Sequence, residues 1–130
     1  MTTRDDGGRR RLTRLLAGLG AASGVALLAR PQRVVDRLCP EFPRDRVWLV
    51  RALGARLLLQ HGGVLVLPHG GMVRTGSAVD LLHAASMVPF AASARYGRAA
   101  RISGALAAGC AALAMTVAPR VGAGRRPVRD

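Results

Sequence analysis

The chain has 130 residues, half of them hydrophobic, yet only four are Phe, Trp or Tyr. This composition argues against an ordinary soluble core, which uses more aromatic volume, and is typical of helices rich in Ala, Leu, Val and Gly that pack closely in membranes. The formal net charge of +13 predicts attraction to anionic lipid headgroups or to nucleic acid. Cys39 and Cys110 lack the spacing of a disulfide framework or a zinc site.

The first segment, residues 1–11, is polar and rich in arginine, which predicts a disordered basic tail. Residues 12–29 follow as an apolar run long enough to cross a bilayer. Basic residues before an apolar run also occur in secretion signals, but no A-x-A cleavage site follows Leu28, which favours retention as a first span. Within the run, Gly20 and Gly24 form a GxxxG pattern that lets a neighbouring helix approach closely.

The connection over residues 30–46 contains three prolines and many charges. Pro31 suits the first turn of a helix, and Val34, Val35 and Leu38 share one face. This pattern predicts a short helix that lies at the membrane interface.

Two further apolar runs, residues 47–68 and 77–94, are joined by a short Gly-containing turn that demands an antiparallel hairpin. Ser77 followed by Asp80 is typical of a helix start, because the hydroxyl caps a free amide and the carboxylate faces the positive end of the helix dipole. This assignment gives Asp80 a structural role.

The last apolar run, residues 102–119, has no charge, and residues 120–130 form a second predicted disordered basic tail. The fold prediction is therefore all-α: a membrane-embedded antiparallel four-helix bundle, residues 12–119, with basic tails. Both termini would lie on one side. A slight excess of arginine on that side favours cytoplasmic termini in a multi-pass protein of the plasma membrane.

Polar residues inside the second and third runs form a predicted intramembrane polar seam. Its members are Arg51, Arg56, Gln60, His61, Asp80, His83 and Ser86. Arg51 lies near a run's end and can extend to the headgroups, but Arg56 needs a partner in the membrane. If Pro68 and Ser77 are level, Asp80 lies about 13 Å from Arg56 along the axis. We therefore expect Arg56 to bind the turn around Ser86, where Pro89 frees the carbonyl of Ala85.

On the same register His61 and His83 lie at nearly equal depth. The favoured interpretation is two neutral histidines that form hydrogen bonds between helices with Gln60. Paired haem ligation and a proton relay through Asp80, His83 and His61 are the alternatives. No nucleophile elbow, P-loop or HExxH sequence is present, so we expect no catalytic residues, no enzyme activity, no cofactor and no metal site.

Two stretches carry a family resemblance: Val50-Arg-Ala-Leu-Gly-Ala-Arg56, continuing to Gln60, and Val79-Asp-Leu-Leu-His-Ala-Ala-Ser-Met87. Over residues 12–118 the chain resembles small uncharacterised four-span integral membrane proteins of actinobacteria, of the domain-of-unknown-function type. The resemblance implies location and architecture but no activity. It also implies that a family motif contains Arg51, Gly54, Arg56, Asp80, His83, Ser86 and Met87.

Three functions are compatible with the sequence. The leading one is a structural or interaction subunit in the membrane, whose expected partners are the lipid bilayer and either further copies of the chain or other membrane subunits. The second is an oligomeric transporter that couples protons or small ions to an Asp/His face. The third, a peripheral basic nucleic-acid-binding protein, is disfavoured because the arginines cluster between apolar runs and base-stacking aromatics are scarce.

Overall fold

The computed structural model describes residues 3–67 and 70–117, and this part of the chain is helical with no strand. The predicted all-α class is therefore confirmed. The helices are α1 (Thr3–Ala29), α2 (Pro31–Leu38), α3 (Val47–Val66), α4 (Gly70–Met87) and α5 (Gly97–Val117). Short 3-10 turns precede α3 and follow α4, at Arg44–Arg46 and Val88–Phe90.

Helix α1 packs most extensively against α3, and small residues make this possible. A Cβ atom added at Gly24 would lie 2.7 Å from the carbonyl oxygen of Gly54, and one added at Gly54 would lie 2.8 Å from that of Gly24. A Cβ at Gly20 would overlap the imidazole of His61. The GxxxG pattern therefore marks the face on which the two backbones approach each other.

Helices α4 and α5 form the second closely packed pair, and narrower contacts join α1 to α5 and α3 to α4. The order of the helices places the end of α3, the start of α4, the start of α1 and the end of α5 at one end, which we call the turn end. The opposite end, which contains α2 and the α4–α5 connection, is the α2 end.

The α2 end is closed by an apolar cluster. Val35, Cys39 and Phe42 are buried together, and Tyr96 packs against them with its ring 5.6 Å from that of Phe42 in an edge-to-face arrangement. Pro31 lies at the start of α2, as the sequence predicts. The predicted short helix within residues 30–46 is thus confirmed. Of its predicted apolar face, Val35 packs in the cluster against α3 and α5, whereas Leu38 is exposed.

Several predicted boundaries differ from the helices. Helix α1 begins at Thr3, inside the predicted tail of residues 1–11. Extending an existing helix costs less than nucleating one, and the arginines favour a helix, which offsets the weak propensity of Gly7 and Gly8. Helix α4 begins at Gly70 and ends at Met87, seven residues earlier at each end than the predicted run 77–94. The predicted tail of residues 120–130 lies outside the described residues.

Three helical segments of the described chain are long and apolar enough to cross a membrane: Gly7–Ala29, Arg44–Val66 and Gly97–Val117. Helix α4 is not among them, because Arg74, Asp80 and His83 lower the hydropathy of its 18 residues. The protein is therefore helical with three segments suited to a membrane and a fourth, more polar helix packed against two of them.

Candidate functional site

The centre of the protein contains an ion pair between α3 and α4. Arg56 donates from Nη2 to Oδ1 of Asp80 over 2.8 Å. Gln60, one turn further along α3, donates from Nε2 to the other carboxylate oxygen of Asp80 over 3.0 Å and to the carbonyl of Gly76 over 3.2 Å. The amide oxygen of Gln60 in turn accepts a bond of 3.4 Å from Arg56. The three side chains thus form a closed network that joins the two helices.

Burial makes this network energetically important. The side chain of Asp80 is 5% exposed and that of Arg56 is 25% exposed. A carboxylate this deeply buried in the protein needs both charge compensation and hydrogen bonds, and Arg56 and Gln60 supply them. Within residues 7–67 and 70–117, every buried side-chain nitrogen and oxygen has a hydrogen-bond partner. The network is therefore fully satisfied.

The prediction that Arg56 binds the turn opened by Pro89 is wrong. Arg56 lies ten residues before the end of α3, and Asp80 lies ten residues after the start of α4. Both are therefore about 15 Å from the turn end. Pro89 instead lies in the 3-10 turn that follows α4. The error came from placing the start of the helix at Ser77, which moved Asp80 about 10 Å toward the turn end.

The capping role predicted for Ser77 and Asp80 is wrong for the same reason. Both residues lie inside α4 and are buried. Ser77 donates from its hydroxyl to the carbonyl of Val73 within the same helix, over 2.9 Å.

The prediction that both histidines form hydrogen bonds between helices with Gln60 is wrong, because Gln60 is bonded to Arg56, Gly76 and Asp80 and each histidine has another partner. The Nδ1 atom of His61 lies 3.0 Å from the carbonyl oxygen of Leu57, and its ring packs against Gly20 of α1. The Nε2 atom of His83 lies 2.6 Å from the hydroxyl of Ser103 on α5. The seam is thus divided, with His61 at the α1–α3 interface and His83 at the α4–α5 interface.

The remaining predicted members lie outside the network. Arg51 is exposed in the second turn of α3, where its side chain can extend toward a headgroup region. Ser86 is exposed and donates to the carbonyl of His83 in its own helix. Of the seven predicted residues, the structure brings together three, Arg56, Gln60 and Asp80.

A cavity of about 50 Å³ lies beside the network, on the side of the turn end. All four long helices contribute to its wall, and Gln60, Ser77 and Asp80 contribute polar groups. Thr13, also on the wall, donates its hydroxyl to the carbonyl of Arg9 over 2.9 Å. Sequence reasoning missed Thr13 and Ser103, because a single hydroxyl in an apolar run gives no signal of its partner.

The network and the cavity offer hydrogen-bonding groups and one carboxylate, that of Asp80. No group of three or more His, Cys, Asp or Glu residues suited to a metal ion occurs in the described segments. The separate partners of His61 and His83 do not favour paired haem ligation.

Comparisons with protein-family models, curated proteins and solved structures gave no match. The resemblance to actinobacterial membrane proteins therefore stays a prediction. The Arg56–Asp80–Gln60 network and the cavity next to it are the features that bear on function.

Proposed function

We propose that the protein is an integral membrane protein of the plasma membrane, in which α1, α3, α4 and α5 cross the bilayer as an antiparallel four-helix bundle. In this proposal it acts as a structural or interaction subunit. The observation that supports it most strongly is the ion pair between Arg56 and Asp80, because it compensates the charges that would otherwise keep α3 and α4 out of a membrane.

The outer surface supports placement in lipid. Large apolar side chains on all four long helices are more than half exposed, among them Leu15, Leu19, Leu59, Leu82, Leu106 and Leu113. Such a surface would favour aggregation in water, but it suits the hydrocarbon region of a bilayer or a second membrane subunit.

The positions of the aromatic residues support a defined depth of the protein in the bilayer. Phe42, Trp48, Phe90 and Tyr96 all lie at the α2 end, and Trp48 is 57% exposed. Trp and Tyr concentrate at membrane–water interfaces. We therefore place the α2 end at one interface, with anionic headgroups near the arginines of the neighbouring connections.

Helix α4 is the span that this proposal adds to the three apolar ones. Its two charged residues have different environments: Arg74 is exposed near the turn end, and Asp80 is paired with Arg56. Arg74 can extend to the headgroups, and the paired Asp80 carries no net charge into the bundle.

Two measurements test the proposal. Washing membranes with alkaline carbonate should leave the protein in the pellet, whereas release would favour a peripheral nucleic-acid-binding protein. Reporter fusions at Pro40, Gly71, Arg98 and Arg125 should then alternate between the two sides of the membrane. Fusions at Gly71 and Arg98 that report the same side would contradict a crossing by α4.

A second candidate function is an oligomeric transporter for protons or small ions. The cavity favours it, because the cavity reaches the carboxylate of Asp80. Reconstituted protein would then conduct protons or ions, and Asp80→Asn would abolish that flux while Ser86→Ala would not. Absence of flux in the unmodified protein leaves the subunit role as the better account.

A further inference from the structure

The cavity lies on only one side of the Arg56–Asp80 pair. Asp80 and Gln60 are at its inner part, about 9–15 Å from the turn end by the helical rise. Val73 and Val117 belong to its outer part, in the first turn of α4 and at the end of α5. A path toward water through the cavity therefore leads to the turn end.

The inner wall of the cavity can hold water. A volume of about 50 Å³ exceeds the 10–15 Å³ that one water molecule needs, so it can contain a short chain of about three. Asp80 accepts one bond at each carboxylate oxygen and retains further acceptor capacity, and the hydroxyl oxygen of Ser77 can also accept. Gln60 adds an amide oxygen. These groups offer the two to four polar partners that a buried water requires.

The outer wall is mainly apolar, and the one hydroxyl among its described lining residues is that of Thr13, 3.4 Å from the carbonyl oxygen of Val117. Ala17, Val64 and Val73 are buried together there, and Ala114 packs against them. These are small or β-branched side chains, and no aromatic ring lies among them. They lie on the turn-end side of Gln60 and Asp80.

The opposite side of the pair is much more tightly closed. At about the depth of the pair the backbones of α1 and α3 meet at Gly24 and Gly54, and His83 and Ser103 are hydrogen-bonded nearby. Beyond them, the cluster of Val35, Cys39 and Phe42 seals the α2 end. Water therefore meets a thicker barrier from that side.

We propose that the cavity is a hydrated vestibule, a binding site for a short chain of water molecules that connects Asp80 with the turn end and not with the α2 end. Val64 and Val73 form its outer barrier. The inference rests on the proposed crossing of the membrane by α4. It assigns Asp80 an aqueous contact with one side of the membrane, whichever function the protein has.

Cysteine substitution tests the vestibule with Ag⁺, a small ion that reacts with thiols and does not cross lipid. The background is the full chain carrying Cys39→Ala and Cys110→Ala, in sealed vesicles of each orientation. Ag⁺ is added outside and removed, the protein is denatured, and remaining thiols are labelled with a polyethylene glycol maleimide that shifts the band on a gel. Ser77→Cys is the main probe because it lies one turn from Asp80, and Thr13→Cys reports the outer part of the cavity, beside Val117.

Three variants calibrate the probe. Gly71→Cys reports the turn end, since a Cβ there contacts nothing, and Arg98→Cys reports the exposed α2 end. Leu82→Cys reports the lipid-facing surface, because Leu82 is 71% exposed on α4, near Asp80 but outside the cavity. It should stay unblocked from both sides.

We expect Ag⁺ to abolish labelling of Ser77→Cys and Thr13→Cys in the vesicles where it also blocks Gly71→Cys. In the opposite vesicles labelling should be retained. Combining Ser77→Cys with Val64→Ala and Val73→Ala should make Ag⁺ react faster with the Ser77→Cys thiol. Combining it with Val79→Ala, on the outer surface, should not.

Two results would overturn the vestibule while leaving the architecture intact: Ser77→Cys stays unblocked from either side, whatever Thr13→Cys does, or Ser77→Cys is blocked from the side of Arg98→Cys. If Gly71→Cys and Arg98→Cys are blocked from the same side, α4 does not cross. That result contradicts the proposed architecture and, with it, one-sided access.

Discussion

Arg56 lies as far from the end of α3 as Asp80 lies from the start of α4, and their side chains meet across 2.8 Å. Neither residue is tolerable alone in an apolar environment, since an unpaired arginine or aspartate at the centre of a membrane helix costs roughly 2.5–3.5 kcal/mol on insertion scales. Together, and with Gln60 bonded to both, they allow two helices with central charges to pack side by side.

The close approach of α1 and α3 predicts opposite effects for two identical substitutions in α1. Gly24→Ala should lower the thermal midpoint in detergent, because the new methyl group would press on the backbone of α3 and overpacking costs about 1–3 kcal/mol. Gly18→Ala should leave the midpoint unchanged or raise it, because nothing lies within 4 Å and alanine favours a helix. Equal effects of the two would contradict the packing of α1 on α3.

The hydrogen bond between His83 and Ser103 predicts that the protein loses measurable stability when the hydroxyl of Ser103 is removed. Ser103→Ala should destabilise the protein by about 1 kcal/mol, a typical value for a hydrogen bond between membrane helices. Ser86→Ala is the matched control, because Ser86 is exposed and bonds only within α4. Unfolding by a denaturing detergent would measure the stability of both variants. If Ser103→Ala loses no more stability than Ser86→Ala, the result argues against this contact.

The thiol of Cys39 should be unreactive near neutral pH. Burial, and then the nearby Glu41, raise the pKa of Cys39 above its ordinary value, although Arg98 opposes the shift. Alkylation of the Cys110→Ala protein, which isolates Cys39, should therefore increase only at more alkaline pH than for a free thiol. Phe42→Ala should uncover the thiol and speed alkylation, and Leu38→Ala, at an exposed position, should not.

The same shift has a consequence for stability. The folded state holds the proton of Cys39 more tightly than the unfolded state does. The contribution of the protonated Cys39 thiol to the free energy of unfolding is complete below the ordinary pKa and is lost as the pH rises through the raised pKa. Cys39→Ala should therefore show a smaller loss of stability than the parent protein as the pH rises through this range. Identical pH profiles for the two proteins would contradict the shift.

The sequence predicts the helices well because their signals are local. Apolar runs of span length identify α1, α3 and α5, and Pro31 with its neighbours identifies α2. GxxxG correctly marks the face of close approach in α1. These features depend on hydrophobicity, side-chain size and the missing N–H of proline, all of which act within a few residues.

The polar partners could not be predicted because they depend on helix register. Gly70 and Gly71 suggest a turn, but they form the first residues of α4. Moving the start of the helix from residue 77 to 70 moves Asp80 from a predicted terminus to the level of Arg56. In the same way, the partner of His61 depends on which helix offers a glycine opposite it, and no local pattern encodes that choice.

The central claim is that Arg56 and Asp80 stabilise the protein as a pair, and a double-mutant cycle in detergent tests it most directly. The free energy of unfolding is measured for Arg56→Leu, Asp80→Leu and both together. A parallel cycle uses Arg51→Leu with Asp80→Leu, because Arg51 is exposed and lies outside the network.

We predict that each single substitution in the Arg56 cycle destabilises the protein, since it leaves a buried charge without its partner, and that the double variant recovers part of the loss. The coupling energy should be about 1–3 kcal/mol, against nearly none in the Arg51 cycle. Additive effects in the Arg56 cycle, or an Asp80→Leu protein as stable as the parent, would contradict the claim.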